Sequence, residues 1–416
     1  MEIKNILYVS HFHGKMTGAE TSLFNIIKYL NRSKYKPLVL CRSQGIFTER
    51  LEGLGVEIAY LDFPVLEVHN NEYNLQAFRN FIRGTIENTE DLLKIVEAKE
   101  IDLIHTNVSV VLIGALAARL KGIAHIWHVR EILGLGLWSR LFSIFIPFLS
   151  SKVIAVSKAS GKIFNTEKCN VIYDGIDLAS FSIAENSRLL DKKAPLRESL
   201  PSIGFIGSII GWKGVHTFLM AAVEINKIFP EAQFLVAGDL TASPEYSQKL
   251  EEFVQLAGLE TKVKFIGFQE DIPKTLSALD IVVVPSRRPD PLPNVVIESM
   301  ASGKVVVASS SGGIPEAIIH GKTGFLFPPG DYNSLSKILI SLLEDNKLRQ
   351  AVGVAARKHV DERFSAKVMS EKVQYLYEDT LKLSKKNSNP CRHKIPCLYR
   401  IFFYLLLQFF QPYLFF

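Results

Sequence analysis

The sequence has few of the residues that build disulfides, metal centres or membrane spans. Its 416 residues include four cysteines, Cys41, Cys169, Cys391 and Cys397, which form no C-x-x-C pair and have no histidine at zinc-site spacing. We therefore expect a reduced protein inside the cell, with no metal site. The opening segment MEIKNILYVSH has an apolar run too short for a signal peptide, so it predicts a first buried strand instead.

Strong charge and internal repeats are missing as well. The net charge of +6 is too weak to argue for nucleic acid as a partner, but it is compatible with phosphate-bearing ligands or an anionic membrane surface. With 48% hydrophobic and 22% charged residues, the composition excludes a disordered, collagen-like or many-span membrane protein. No repeat of roughly 20 to 50 residues is visible, which argues against solenoids and propellers.

Short β-rich segments alternate with helical ones, which is typical of parallel sheets covered by helices on both faces. In the first half the predicted strands are NILYVSH, KPLVLC, VEIAYL, DLIHT, HIWHV and KVIAVS, and the segments Gly18–Tyr29 and Asn74–Ala98 are long enough for helices. A charged, irregular segment from Asp174 to Pro201 interrupts this pattern. A second series of predicted strands follows, namely SIGFIGS, AQFLVAGD, KVKFIGF, DIVVVPS and KVVVAS.

The two series predict an α/β protein with two Rossmann-like, doubly wound domains, because a chain of 416 residues exceeds one hydrophobic core. Each domain has its ligand crevice at the carboxyl ends of its strands, and two facing crevices form one central cleft. The predicted boundaries are residues 1–178 for the first domain, 179–200 for a linker, 201–363 for the second domain, 364–384 for a C-terminal helix returning to the first domain, and 385–416 for a tail.

Two motifs of the first domain carry candidate functional groups. In SHFHGKMTGAE a strand is followed by a helix that opens at Gly18 and Glu20, and the free N–H groups of that helix could cradle an anion. An ordinary strand-to-helix turn explains the same glycine equally well. In HIWHVRE the side chains of His128, Arg130 and Glu131 crowd the carboxyl end of a strand, where ligands bind. A lone histidine is more often structural, but these neighbours add weight to His128.

The second domain has three comparable motifs. FIGSIIGWKG leads from a strand into a helix start that carries Lys213, which suits a diphosphate, although neither a nicotinamide nor an ATPase-type glycine fingerprint is present. In DPLPNVVIESMASG, Asp290 lies on a loop and Glu298 inside the next helix, where a carboxylate can accept two ribose hydroxyls. A solvated helix face is the alternative for Glu298. SSSGGIPE forms a further glycine turn at a strand end.

These motifs, in this order, resemble those of the family 4 glycosyltransferases over about residues 1 to 380. The family's glycine-Ala-Glu loop, catalytic-site histidine, Asn-Gly-Ile-Asp segment, donor-phosphate loop, paired acids and Gly-Gly-Glu element have counterparts here, the third as VIYDGID. The resemblance implies the GT-B fold and a retaining, metal-independent hexosyltransferase. It also implies a nucleotide-diphosphate sugar as co-substrate, no other cofactor, and a glycan or lipid-linked acceptor in cell-surface polysaccharide or glycolipid synthesis.

The resemblance also assigns roles to residues. The implied catalytic residues are His128, Lys213 and Asp290. The implied donor-binding residues are Gly18, Gly207, Ser208, Lys213, Asp290, Asn294, Val295 and Glu298, and the supporting residues are Glu20, Arg130, Glu131, Gly312, Gly313 and Glu316. Negative charge grows on the leaving diphosphate as the sugar–phosphate bond breaks. The positive charge of Lys213 beside it would therefore stabilise the transition state more than the ground state.

Three positions depart from the family pattern. Ser208 stands where the family usually has arginine, Asp290 replaces the commoner glutamate, and Thr17 replaces the first of two frequent glycines. Two other functions therefore stay open. A non-hydrogenating nucleotide-sugar epimerase would need no acceptor, and a non-catalytic sugar-nucleotide binding protein would bind without turnover.

The C-terminal tail lies beyond the resemblance. No acid follows Asp379, while six basic residues precede the almost wholly apolar run Ile401–Phe416; they are Lys382, Lys385, Lys386, Arg392, Lys394 and Arg400. This run falls short of the roughly 20 residues that a membrane span needs, so we expect it to lie in the interface. The sequence thus predicts a cytoplasmic protein, peripheral at the cytoplasmic membrane face. A helix docked on the protein, or a C-terminus without function, is the alternative.

Overall fold

The computed structural model describes residues 2–14, 16–66, 75–134, 137–181 and 201–386. The strands are β1 (Lys4–Val9), β2 (Tyr35–Cys41), β3 (Glu57–Tyr60), β4 (Leu103–Thr106), β5 (Ala124–Val129), β6 (Lys152–Ala155), β7 (Cys169–Val171), β8 (Ile203–Ile206), β9 (Phe234–Ala237), β10 (Val263–Gly267), β11 (Ile281–Val284), β12 (Val305–Ser309) and β13 (Phe325–Phe327).

The helices alternate with these strands. They are α1 (Gly18–Lys28), α2 (Ile46–Glu52), α3 (Leu75–Ala98), α4 (Ile113–Lys121), α5 (Leu137–Leu149), α6 (Lys158–Gly161), α7 (Val215–Ile228), α8 (Pro244–Leu256), α9 (Ile272–Ser277), α10 (Asn294–Ala301), α11 (Ile314–Ala317), α12 (Tyr332–Glu344), α13 (Asn346–Arg363) and α14 (Ala366–Lys386). Within the described residues, none of them is both long and apolar enough to cross a membrane.

The strands form two parallel sheets. The first has the order β3-β2-β1-β4-β5-β6-β7 and the second the order β10-β9-β8-β11-β12-β13. Strands β5, β11 and β12 are buried along their whole length, as expected when helices cover both faces of a sheet. The strand order reverses between β1 and β4 and again between β8 and β11, and ligands bind at such points. The predicted pair of Rossmann-like domains is therefore confirmed.

Two short strands were missed by the sequence prediction. β7 and β13 contain three residues each, too few to show a period of two. Both add a strand at the end of a sheet, beside β6 and β12. Of the predicted second helix, Asn74 lies outside the described residues, and α3 covers the rest.

The chain crosses between the domains twice, and the two crossings touch. Ile176 donates its backbone N–H to the oxygen of Phe364 at 3.0 Å, and Ala366 donates to the oxygen of Ile176 at 2.8 Å. A Cβ on Gly175 would lie 2.5 Å from the oxygen of Ser365, so only glycine permits this approach. After this crossing, α14 packs on α1 and adds to the first domain's core, with Met369, Val373, Leu376 and Tyr377 buried there.

The predicted linker and tail fall largely outside the described residues. Of the linker, the structure describes residues up to Phe181, which ends a short 3₁₀ helix from Leu178 and packs on the second domain's core. Of the tail, it describes Lys385 and Lys386 as the end of α14, and residues 387–416 lie outside.

Candidate active site

The start of α1 is closed by its own side chains. Thr17 caps the helix by accepting the N–H of Ala19 at 3.3 Å, and Glu20 accepts the N–H of Thr17 at 2.9 Å. Nδ1 of His11 lies 3.3 Å from the other Glu20 oxygen. Because this capping box puts a carboxylate at the helix N-terminus, the backbone here is a poor cradle for a second anion.

Gly18 nevertheless lies at the junction of the two domains. A Cβ placed on Gly18 would stand 3.2 Å from Nδ2 of Asn294, the first residue of α10. The start of α1 in the first domain therefore faces the start of α10 in the second domain. Any side chain at position 18 would fill the space between them.

His128 is fully buried near the carboxyl end of β5. Its Nδ1 lies 3.3 Å from Nε2 of His105 and 3.3 Å from Nη2 of Arg130. Among the described residues its Nε2 has no hydrogen-bond partner. Burial, together with the charge of Arg130, holds the pKa of His128 well below its ordinary value of 6.5. The His128 imidazole is therefore neutral at physiological pH.

Arg130 turns inwards and ties several elements together. Its Nη1 contacts the two Asp174 oxygens at 2.7 and 2.8 Å, and its Nη2 donates to Oδ1 of Asn107 at 2.9 Å. Asn107 in turn donates to the oxygen of Ala19 at 3.1 Å, at the start of α1. Since the Arg130 side chain is only 7% exposed, it is an internal brace of the site and leaves little surface for a ligand.

Glu131 is held beside this brace and is engaged within the first domain. Its Oε2 accepts the hydroxyl of Ser109 at 2.6 Å and the backbone N–H of Arg130 at 3.1 Å. Glu131 is thus a supporting residue of the strand end, and its carboxylate ties the loop after β5 to the loop after β4.

Lys213 and Asp290 form an ion pair in the second domain. Lys213 Nζ lies 2.5 Å from Oδ2 of Asp290 and 4.4 Å from the centre of the Trp212 ring. The Asp290 side chain is 5% exposed and that of Lys213 21%. The sequence motif did not show this pairing, and a diphosphate bound here would meet a lysine that already contacts a carboxylate. The ammonium has three N–H donors, so Lys213 can hold Asp290 and a phosphate oxygen together.

A tight turn brings Lys213 to this position. Gly214 has φ +79°, and a Cβ there would lie 2.0 Å from the oxygen of Pro285, just after β11. The turn ends at the start of α7, and Arg287 donates its backbone N–H to the oxygen of Trp212 at 2.7 Å. The exposed Arg287 side chain therefore supplies a second positive charge beside the turn.

Glu298 lies one turn inside α10 and is half-buried. Burial raises the pKa of its carboxyl from 4.5 to about 7. No hydrogen bond or ion pair from the described residues reaches this carboxyl. Asn294 is four residues earlier on the same helix, so the two side chains share a face. Asn294 and Val295, the first two residues of α10, are both partly exposed.

Gly207 and Ser208 follow β8 and border the same domain's crevice. The N–H of Gly207 donates to the oxygen of Ala237 at 3.0 Å, at the end of β9. Ser208 is exposed and adds no charge where the family usually has arginine.

The glycine turn after β12 packs on the Asp290 loop. Gly313 donates its N–H to the oxygen of Asp290 at 2.8 Å, and a Cβ on Gly312 would lie 2.0 Å from that same oxygen. Glu316 faces the other domain, since its carboxylate accepts the N–H groups of Lys158 at 2.7 Å and Ala159 at 2.9 Å. It caps the first turn of α6 and joins the two domains beside the site.

Four residues of this site were missed by the sequence interpretation. His105, Asn107, Asp174 and Tyr377 form the surroundings of His128 and Arg130. The carboxyl-end rule that selected His128 also applies to β4, which carries His105 and is followed by Asn107, so that signal was available. In the described part of the chain, no group of three His, Cys, Asp or Glu side chains could hold a metal ion.

The two Rossmann-like domains and the residues between them define a GT-B glycosyltransferase architecture. Residues 16–180 match the family model described as Glycosyltransferase Family 4, and residues 186–359 match the one described as Glycosyl transferases group 1. The chain belongs to glycosyltransferase family 4, which confirms the resemblance that its motifs predict.

The relatives and solved structures agree with this assignment. One relative is a GDP-mannose-dependent monoacylated alpha-(1-6)-phosphatidylinositol monomannoside mannosyltransferase from Corynebacterium glutamicum. It is 31% identical over 209 residues, which are 48% of this chain, and the match spans about half of the relative's own length, 53%. A lipopolysaccharide core biosynthesis mannosyltransferase from Rhizobium leguminosarum is 30% identical over 55% of this chain and 64% of the relative. Anabaena HepE, solved in complex with UDP, is 26% identical, with a TM-score of 0.77 over 91% of this chain and all of HepE.

Proposed function

We propose that this protein is a retaining glycosyltransferase that moves a hexose from a nucleoside-diphosphate donor to a glycan or lipid-linked acceptor. The observation that carries the proposal is the carboxyl of Glu298, which no described residue pairs with, on the face of α10 that meets the first domain through Asn294. A carboxylate whose hydrogen-bonding capacity is free can accept both hydroxyls of a ribose. Cell-surface polysaccharide or glycolipid synthesis is the setting that the relatives' names favour.

The diphosphate belongs between the turn at Lys213 and the start of α7. Lys213 supplies a charge, the first N–H groups of α7 supply the positive end of the helix dipole, and Arg287 lies beside the same turn. Charge grows on the diphosphate as the sugar–phosphate bond breaks, so donors fixed around it stabilise the transition state more than the ground state. Arg287 thereby makes up for the arginine that is missing at Ser208.

The sugar belongs on the first domain's side of the cleft. His128 is neutral, and its Nε2 has no partner within the described residues, so it suits a hydrogen bond to a sugar hydroxyl near the reacting carbon. Asp290, held by Lys213 and by the glycine turn, lies between the sugar and the diphosphate. In this proposal no metal or cofactor takes part besides the nucleotide sugar.

Sugar transfer to cell lipid extract tests the proposal. UDP-glucose and GDP-mannose are the first donors to compare, because HepE is also solved with UDP-glucose and the Corynebacterium relative is named for GDP-mannose. Mass spectrometry should find an added hexose only when acceptor is present, proton NMR should show the donor's anomeric configuration retained, and EDTA should leave the rate unchanged.

Other outcomes of that experiment contradict the proposal. Free nucleotide released without any acceptor would indicate a nucleotide-sugar epimerase. Nucleotide binding without turnover across the donor and acceptor panel would indicate a sugar-nucleotide binding protein.

We also propose that the C-terminal tail holds the enzyme at the cytoplasmic face of the membrane. The basic residues from Lys382 to Arg400 would attract anionic lipid, at about 1 kcal/mol each, and Ile401–Phe416 would lie beneath the headgroups. Full-length protein should pellet with vesicles rich in phosphatidylserine at low salt but not at high salt, and a chain shortened at Asn387 should stay in the supernatant. Full-length protein in the supernatant at low salt would refute this location and leave the transferase proposal intact.

A further inference from the structure

A chain of buried hydrogen bonds runs from the C-terminal helix to His128. Tyr377 of α14 has its hydroxyl 2.6 Å from Nδ1 of His105, and Nε2 of His105 lies 3.3 Å from Nδ1 of His128. The hydroxyl of Tyr8 lies 3.3 Å from that of Tyr377 at the other end. All four side chains are fully buried, so no bulk water competes for these contacts.

Arg130 fixes which atom donates and which accepts in this chain of hydrogen bonds. A guanidinium can only donate, and Nη2 of Arg130 approaches Nδ1 of His128 at 3.3 Å, so Nδ1 must present its lone pair. Nε2 of His105 approaches the same atom and must therefore carry a proton, since two lone pairs would repel each other. Both histidines are neutral, because burial lowers the pKa of His105 to about 3 and that of His128 well below its ordinary value.

The remaining protons follow from these two. His105 with its proton on Nε2 offers a lone pair at Nδ1, which accepts the hydroxyl proton of Tyr377. The Tyr377 hydroxyl has a single proton, and the shorter contact, 2.6 Å to His105 against 3.3 Å to Tyr8, takes it. His128, neutral and unprotonated at Nδ1, must carry its proton on Nε2, the atom that has no partner among the described residues. Its Nε2 is thus a donor and cannot serve as a general base.

We propose that His105 and Tyr377 are positioning residues that lock His128 in the Nε2–H tautomer, so that it donates a hydrogen bond to an oxygen of the bound sugar donor. This inference rests on the proposed function for its ligand, but the tautomer itself does not. It gives α14 a part in the active site, although Tyr377 belongs to a helix that follows the whole second domain in sequence.

The tautomer can be measured without any substrate. In protein labelled with ¹⁵N-histidine, the His128 signals, assigned by their loss in His128→Gln, should show a protonated Nε2 and a bare Nδ1. His105 should show the same pattern. A protonated Nδ1 on His128 would overturn the proposal, whether or not the protein transfers sugar.

Kinetics then separates positioning from folding. Tyr377→Phe should lower kcat by about fivefold to tenfold, the usual effect of one lost hydrogen bond, and a second, Nδ1-protonated population should appear at His105 or His128. Tyr35→Phe is the matched control. It also removes a hydroxyl that contacts α14, at 3.4 Å from the backbone oxygen of Gln374, but this hydroxyl takes no part in the hydrogen bonds that lead to His128. It should keep the wild-type kcat.

A conservative replacement provides a rescue. His105→Gln keeps an amide N–H able to donate to Nδ1 of His128 and should retain more activity than His105→Leu. If Tyr377→Phe lowered kcat with unchanged tautomers, or if the two His105 variants were equally inactive while folded by circular dichroism, Tyr377 and His105 would be structural and the proposal would be wrong. If the wild type showed the predicted tautomers without turnover, only the proposed function would fail.

Discussion

Glu298→Gln should weaken nucleotide binding and stabilise the protein at the same time. The Glu298 carboxyl has a pKa of about 7 where 4.5 is ordinary, because burial penalises its charged form. Above pH 7 the folded state must keep this charge half-buried, which costs at most about 3 to 4 kcal/mol, since one pKa unit is worth about 1.4 kcal/mol. Glutamine carries no charge, so the variant should unfold at a higher temperature at pH 8.

The sign of the pH dependence follows from the direction of the shift. Between pH 4.5 and 7 the folded protein holds a proton on Glu298 that the unfolded chain has lost. Stability of the wild type should therefore fall as the pH rises through this window, relative to the variant. Thermal unfolding of both proteins at pH 5 and pH 8 measures this, and the gap between them should open only at the higher pH.

Nucleotide binding should change in the opposite sense. Hydrogen bonds to a charged group contribute about 1.5 to 3 kcal/mol, so the loss of charge at Glu298 should raise the Kd for UDP or GDP by about 10- to 150-fold at pH 8. At pH 6 the wild-type carboxyl is mostly protonated, and the ratio of the two Kd values should shrink by about tenfold. The nucleotide titrates in the same way with both proteins, so its own pH dependence cancels in the ratio of the variant's Kd to the wild-type Kd.

Calorimetric titration of nucleotide at both pH values provides the decisive comparison. Equal Kd values for wild type and variant would make Glu298 a residue of the helix surface and remove the ribose site from the proposal. A variant that is weaker at both pH values by the same factor would show that the carboxyl binds, but that its pKa is not raised.

Three further perturbations test the rest of the site. Lys213→Ala should abolish most turnover and also destabilise the fold by about 3 kcal/mol, because it leaves Asp290 charged and buried. Adding Asp290→Asn should recover the melting temperature but not the rate of sugar transfer. Recovery of both would show that another cation holds the diphosphate. Glu316→Ala should widen the distribution of domain separations in small-angle scattering without changing either domain's melting, since the N–H groups of Lys158 and Ala159 and the hydroxyl of Tyr173 lose a partner. Gly175→Ala should destabilise the protein by more than 1 kcal/mol in urea, as its Cβ would overlap the Ser365 backbone; an unchanged midpoint would show that the crossing can relax.

The fold could be predicted because alternation is a local signal. Each predicted strand is a short apolar run beside a helical segment, and parallel sheets follow from that order. The two strands that were not predicted, β7 and β13, are too short to show an alternating pattern. The position of α14 on the first domain's core rests on contacts such as that of Ser370 with the oxygen of Ile26 at 2.9 Å, which no local pattern encodes.

The site could be predicted only in part, for a related physical reason. The carboxyl-end rule locates residues such as His128, but it does not say what those residues contact. Lys213 and Asp290 are 77 positions apart, and each was selected on its own, so their pairing came only with the fold. Tyr377 carries no signal in sequence, because its importance arises from a hydroxyl brought to His105 across 272 positions.

The two domains are joined by contacts of very unequal strength, and this asymmetry bears on how the site works. The crossing at Ile176 and Ser365 is fixed by backbone pairing and by the burial of α14, whereas Glu316 holds α6 through two hydrogen bonds at the partly exposed first turn of that helix. The crossing also packs Ile176 and Phe364 into the second domain's core, so pulling it apart would expose buried apolar side chains. Opening of the cleft should therefore pivot at the crossing and break the Glu316 contact first. In such a motion His128 and its hydrogen-bond chain stay with α14, and Glu298 and Lys213 move as one body away from them.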